Sequence, residues 1–157
     1  MPSMQPSELV ALLRRQILRV RTGLWLISPN LLGDEHNEAV RLGVAGVDMR
    51  ELLLGELPVD TAFVMLNADR VIQLLGQVAG QSHFGNCALV YNLDLLLARL
   101  TVLQRVDAWN SILDGIPHRQ SGLILAMPGT AKSLLPSDNR LGDLAAARRL
   151  ISAEDGA

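Results

Sequence analysis

The sequence predicts a single α/β domain of three layers, with a mainly parallel sheet covered by helices on both faces. Three observations carry that expectation. Three short apolar runs, Gly23-Leu24-Trp25-Leu26-Ile27-Ser28, Cys87-Ala88-Leu89-Val90-Tyr91 and Gly122-Leu123-Ile124-Leu125-Ala126-Met127, each stop at turn residues. They read as buried strands, because helices apolar all round would not be so short. Segments with apolar residues at helical spacing separate them, as crossovers between parallel strands require. Finally, 157 residues suit one domain spanning 1–157, and a chain of that size buries roughly 70% of its unfolded surface.

Residues 1–6 read as a loose arm, expected to be flexible. Ser7 then stands as an N-cap for a helix over residues 8–21, with Leu9, Leu12, Leu13, Ile17 and Val20 on one face. After the first strand, Gly33 to Leu42 can form a helix whose first turn carries Asp34 and Glu35 against the positive end of the dipole. Val44 to Val47 suits a second strand, and Asp48 with Glu51 resembles a capping box before a helix through Leu54. Pro58 to Asp60 is a break, and Thr61 to Leu66 fits strand or helix equally. Asn67 opens a helix with Val71, Ile72, Leu74, Leu75 and Val78 on its apolar side. Gln81 to Asn86 is a polar loop before the strand at Cys87. A further helix runs from about Val102 to Leu113 and ends at Asp114-Gly115-Ile116-Pro117. Beyond the strand at Gly122, a loop with Pro136 to Asn139 leads to a helix near residues 143–151 and a frayed tail over 152–157.

Composition excludes several classes. Hydrophobic residues make up 49% of the chain and charged ones 19%, below the usual share of about 25%, so the chain is not a disordered polyelectrolyte. Fourteen Lys and Arg against sixteen Asp and Glu leave −2, with no basic field for a nucleic-acid backbone. Two Trp, two Phe and one Tyr leave few rings for base stacking. The single Cys87 excludes an intramolecular disulfide and a thiolate zinc cluster, and reads as a buried inert thiol. His36, His83 and His118 lack ligand spacing, so no metal is expected. No basic-then-apolar leader and no apolar run of about 18 residues is present. The expected location is the cytoplasm.

Strand, loop and helix at Ser28-Pro29-Asn30-Leu31-Leu32-Gly33-Asp34-Glu35 match the spacing of the phosphate loop G-x-x-x-x-G-K-[ST]. Ser28 stands at the first Gly, Gly33 at the second, Asp34 at the Lys and Glu35 at the hydroxyl residue. Their chemistry is inverted, since that loop works by offering N–H groups and an ammonium to a triphosphate. A carboxylate there repels it. A magnesium-holding acid would follow a later apolar strand; here the strand at Cys87 ends in Tyr91-Asn92-Leu93-Asp94, with Tyr91 or Asn92 at the acid's place and Asp94 further along. The strand ending in Ala126-Met127 offers no polar sensor. The elements of a P-loop NTPase-like domain are in order, each without its reactive group, so no nucleotide cofactor and no catalytic residue are expected.

Other constellations are weak. Ser82-His83 lacks the last Gly of a nucleophile elbow. Arg14-Arg15 and Arg148-Arg149 read as solvated helix faces, and Gly76-x-x-x-Gly80 as close packing or a helix end.

The chain resembles the small P-loop subunit of bacterial BREX phage-exclusion systems (the BrxF type), and more loosely the BrxB family. The resemblance rests on the entry helix and strand ending at Pro29, on residues 47–54 (VDMRELLL), on residues 89–96 (LVYNLDLL) and on residues 123–130 (LILAMPGT). It implies an accessory subunit of a multi-protein antiviral system, beside a larger ATPase and a PglZ-type phosphatase-fold protein. Three functions follow: a non-catalytic interaction or scaffold subunit of such a complex, able to form homo-oligomers; an ATPase-like nucleotide binder with a non-standard loop; or a small-molecule enzyme, for which no residue set converges. The first fits the residues best.

Overall fold

The structure, a computed structural model, describes residues 4–14, 22–55, 66–81, 83, 86–114 and 121–152. In chain order the elements are α1 (Pro6–Arg14), β1 (Thr22–Ile27), α2 (Glu35–Leu42), β2 (Ala45–Asp48), α3 (Met49–Gly55), α4 (Ala68–Ala79), β3 (Cys87–Tyr91), α5 (Leu93–Leu97), α6 (Val102–Asp114), β4 (Gly122–Pro128), α7 (Asp138–Ala146) and β5 (Leu150–Ile151). Short 3-10 turns at Pro29–Leu31 and Lys132–Leu134 follow β1 and β4.

All five strands are parallel, in the order β2-β3-β4-β1-β5. The connection from β1 to β2 runs one way along the sheet, and those from β2 to β3, β3 to β4 and β4 to β5 run the other way. Right-handed crossovers then place α2 on one face and the later helices on the opposite face. The core follows that rule. Trp25, Ile27, Leu89, Ile124 and Ala126 pack with α1 and α2 through Leu9, Leu13 and Ala39. Leu24, Val90, Leu125 and Met127 pack with α4 to α7 through Leu74, Leu97, Ile112 and Leu144. Alternate residues of each strand thus feed opposite cores, and both faces of the sheet are apolar, which explains the unbroken apolar runs.

Several boundaries differ from the sequence expectation. The first helix starts at Pro6, so Ser7 lies inside it and is not the cap; proline suits a first turn because its missing N–H would be unpaired there anyway. The expected residues 15–21 of that helix, the stretch 56–65, Ser82 and residues 115–120 with His118 fall outside the described residues, as do 1–3 and 153–157. The last helix begins at Asp138, capped by Ser137 Oγ, which accepts the Arg140 N–H at 3.3 Å. It ends at Ala146, and Leu150–Ile151 is an edge strand on β1. Asn67 does cap α4, its Oδ1 accepting the Arg70 N–H at 2.8 Å.

Arg149 is not on a solvated helix face. Its Nε donates to the Thr22 carbonyl at 2.7 Å and its Nη2 to the Leu113 carbonyl at 3.0 Å. Burial, and then the nearby Arg140, lower its pKa. It clips β5 and α6 onto the start of β1. His83 is structural too: Nε2 lies 2.7 Å from the Val78 carbonyl oxygen, and its N–H donates to Ser121 Oγ at 3.3 Å. Cys87 is fully buried in β3.

Candidate functional site

β1 and β4 are neighbours whose outgoing connections lie on opposite faces of the sheet, which makes the carboxyl ends of these strands a topological switch point. Ligand crevices of open α/β sheets form at such a point. A cleft of about 350 Å³ opens there, lined by Ile27, Leu32, Gly33, Glu35, Asp48, Tyr91, Asn92, Asp94, Ala126 and Pro128. Of the residues singled out in the sequence, it gathers Gly33, Glu35, Tyr91, Asn92 and Asp94. Ser28 and Asp34 do not line it.

The loop after β1 is built by local chemistry. Pro29 starts the 3-10 turn, and Leu31 and Leu32 close it onto the carbonyls of Ser28 and Pro29. Gly33 then adopts φ 87°, a left-handed value that favours glycine. That turn aims the Gly33 N–H at its own chain: it donates to Glu35 Oε1 at 2.6 Å. The Glu35 side chain is drawn inward, leaving the residue 7% exposed. In a phosphate loop such an N–H would face the ligand; here a carboxylate two residues on occupies it. Asp34 turns outward, and its Oδ1 accepts from Asn37 Nδ2 at 2.6 Å.

Opposite this loop stands Asp48 at the end of β2, which the sequence alone marks only as a cap. It does cap α3, accepting the Arg50 N–H at 2.9 Å through Oδ1, and the same oxygen accepts from Asn92 Nδ2 at 2.8 Å. Its second role was hidden because it depends on β2 and β3 being paired, with Asp48 opposite Tyr91. Asn92 sits at φ 62°, a region Asn enters more readily than most residues, and this bend sends Asp94 back over the cleft on α5.

The electrostatics are one-sided. Among the described residues, three carboxylates, Glu35, Asp48 and Asp94, line the cleft and no Lys or Arg does. Burial raises the Asp94 pKa above the usual carboxylate value, partly offset by the backbone N–H groups of Asp94 and Leu95. Burial also raises the Tyr91 phenol, helped by the charges of Asp48, Glu35 and Glu51. Among the described residues, no group of three or more His, Cys, Asp or Glu is placed to hold a metal ion. Among the described residues, the cleft lining offers no cation to a phosphate and no hydrogen-bonded nucleophile–base pair.

Fold and cleft together define an all-parallel α/β protein with an acidic crevice at its switch point. Comparison with protein-family models, curated proteins and solved structures finds no match for this chain. No helix among the described residues is long and apolar enough to cross a membrane.

Proposed function

We infer that this chain is a non-catalytic interaction subunit built on a P-loop-like scaffold whose phosphate site has been filled by the protein's own carboxylate. The single observation that carries this reading is the Gly33 N–H donating to Glu35 Oε1. Three elements converge on one cleft: the loop after β1, the end of β3, and the end of β4 lying between them in the sheet. A P-loop ATPase uses such elements for phosphate loop, acid and sensor. Each carboxylate held about 4 Å from a phosphate oxygen opposes binding by on the order of 4 kcal/mol at an effective dielectric near 20. The resemblance to the small BREX subunit names the setting: a bacterial antiphage complex in which a larger ATPase supplies the chemistry and this domain supplies contacts.

Calorimetry with Mg-ATP at modest salt tests the reading. Binding weaker than about 10 μM, or less than about 7 kcal/mol, is the expected outcome. Tighter binding, or hydrolysis by the purified chain, would overturn it in favour of an ATPase-like nucleotide binder with a non-standard loop.

A further inference from the structure

Away from the acidic cleft, α6 leaves Val102, Leu103 and Val106 exposed by 67%, 78% and 50%. Two of them, Val102 and Val106, border a groove of about 250 Å³ between α6, the 3-10 turn after β4 and the start of α7. Its wall is formed by Trp109, whose indole N–H donates to the Leu134 carbonyl at 2.9 Å, and by Leu135. The ring is thereby fixed, so the groove is preformed.

The charged side chains that line this apolar floor have one sign. Among the described residues, Arg105 and Arg140 line the groove and no carboxylate does. Arg105 donates through Nη1 to the carbonyls of Leu97 and Leu100, and among the described residues its other N–H groups have no acceptor. Arg140 gives Nη2 to Asp114, a side chain that is itself 69% exposed, while Arg140 Nε finds no acceptor among the described residues. α7 opens at the same rim, at Ser137, adding the positive end of its dipole. Two guanidiniums flanking an apolar trough match a segment that offers apolar side chains between carboxylates.

We propose that the groove between α6 and α7 receives an acidic amphipathic segment of a partner protein. This deepens the interaction-subunit reading and rests on it. The segment's apolar side chain fills the space between Val102, Val106 and Trp109, and its carboxylates meet Arg105 and Arg140. A nucleic-acid strand fits less well, because the groove carries a single aromatic ring, Trp109, which is 3% exposed and built into the wall, with little ring face left for stacking.

The probe is a displayed library of random peptides about twelve residues long, selected on the full chain. Enriched peptides should carry apolar residues beside an excess of Asp and Glu, and the best of them should shift the Trp109 indole resonance. Val106→Glu, a change at an exposed position, should weaken them at least tenfold, whereas Val106→Lys should hold or tighten binding. Arg105→Gln should weaken them too. Purely apolar docking would lose to both Val106 changes alike, and that result overturns the proposal. So would basic or neutral enriched peptides, no enrichment, a shift of the same resonances by oligothymidine, or self-association abolished by Val106→Glu. Each of these leaves the Mg-ATP measurement unaffected, so failure here is distinct from failure of the interaction-subunit reading.

Discussion

Glu35 and Asp34 are adjacent acids with different duties. In the sequence they stand side by side, at the Lys and hydroxyl positions of the phosphate-loop pattern. The structure separates them: Asp34 is exposed, whereas Glu35 is buried and holds the Gly33 N–H. Asp34→Lys should therefore be tolerated. Glu35→Ala should cost about 1–2 kcal/mol, because it removes a charged acceptor and leaves an N–H unpaired. Thermal unfolding measures this, and an unchanged midpoint would remove Glu35's structural role. Tyr91 provides a second test, since the sequence holds one tyrosine. Its phenol is raised by burial and by Asp48, Glu35 and Glu51. The unfolded phenol then ionises first, so this group's contribution to stability is intact below the ordinary tyrosine value and lost as pH climbs towards the folded one. Absorbance titration should place the native midpoint above that measured in urea, and Glu35→Gln should lower it. Coincident native and urea midpoints would contradict the buried, acid-faced setting. None of this was readable from residue types, because the partners of Gly33 and Asn92 depend on where side chains turn.

Helix α1 approaches the sheet closely because two strands offer glycine where it crosses. A Cβ on Gly122 would stand 2.8 Å from Leu13 Cβ, and one on Gly23 would stand 2.6 Å from Leu9 Cδ2. The second neighbour is the end of a flexible side chain and can move; the first is tied to the helix backbone. Gly122→Ala should therefore destabilise by about 1–3 kcal/mol through overpacking. Gly142, inside α7, would place a Cβ in open space, and Gly142→Ala should stabilise by about 0.5–1 kcal/mol. Urea midpoints of the two variants should move in opposite directions; a shared direction would refute the packing argument. The same element scale explains what could be read in advance. β1, β3 and β4 were legible because burial on both faces writes an unbroken apolar run. β5 is not, since two residues carry no period, and α7 starts earlier than its apolar pattern suggests because Ser137 and Asp138 look equally like loop and cap.

At the scale of the molecule, fold class was legible and strand order was not, for order depends on which strands meet and local pattern does not record that. The cleft's composition was partly legible: Gly33, Glu35, Tyr91, Asn92 and Asp94 were named, while Asp48 needed the pairing of β2 with β3. On α5 and α6, Leu95, Val102, Leu103 and Val106 stand exposed, which makes this face the place to test contact with a partner. Leu103→Glu should change stability by no more than about 0.5 kcal/mol. If the chain works within a defence complex, the same change should weaken copurification with its partner and reduce protection against phage. Full protection by a stably folded Leu103→Glu chain would count against that face.

β1 lies between β4 and β5, so Thr22 pairs with Leu123, and Leu24 with Leu150. During synthesis the apolar β1 emerges long before either neighbour exists, while β2 and β3 can already pair with each other. Closing the sheet must wait for a long-range event, which makes folding slow relative to a protein of local contacts. Until then the nascent chain carries an unpaired apolar strand, the kind of surface on which chaperones act and premature aggregation begins. Yield in the cell should thus depend on translation rate and chaperone supply more steeply than equilibrium stability alone would suggest.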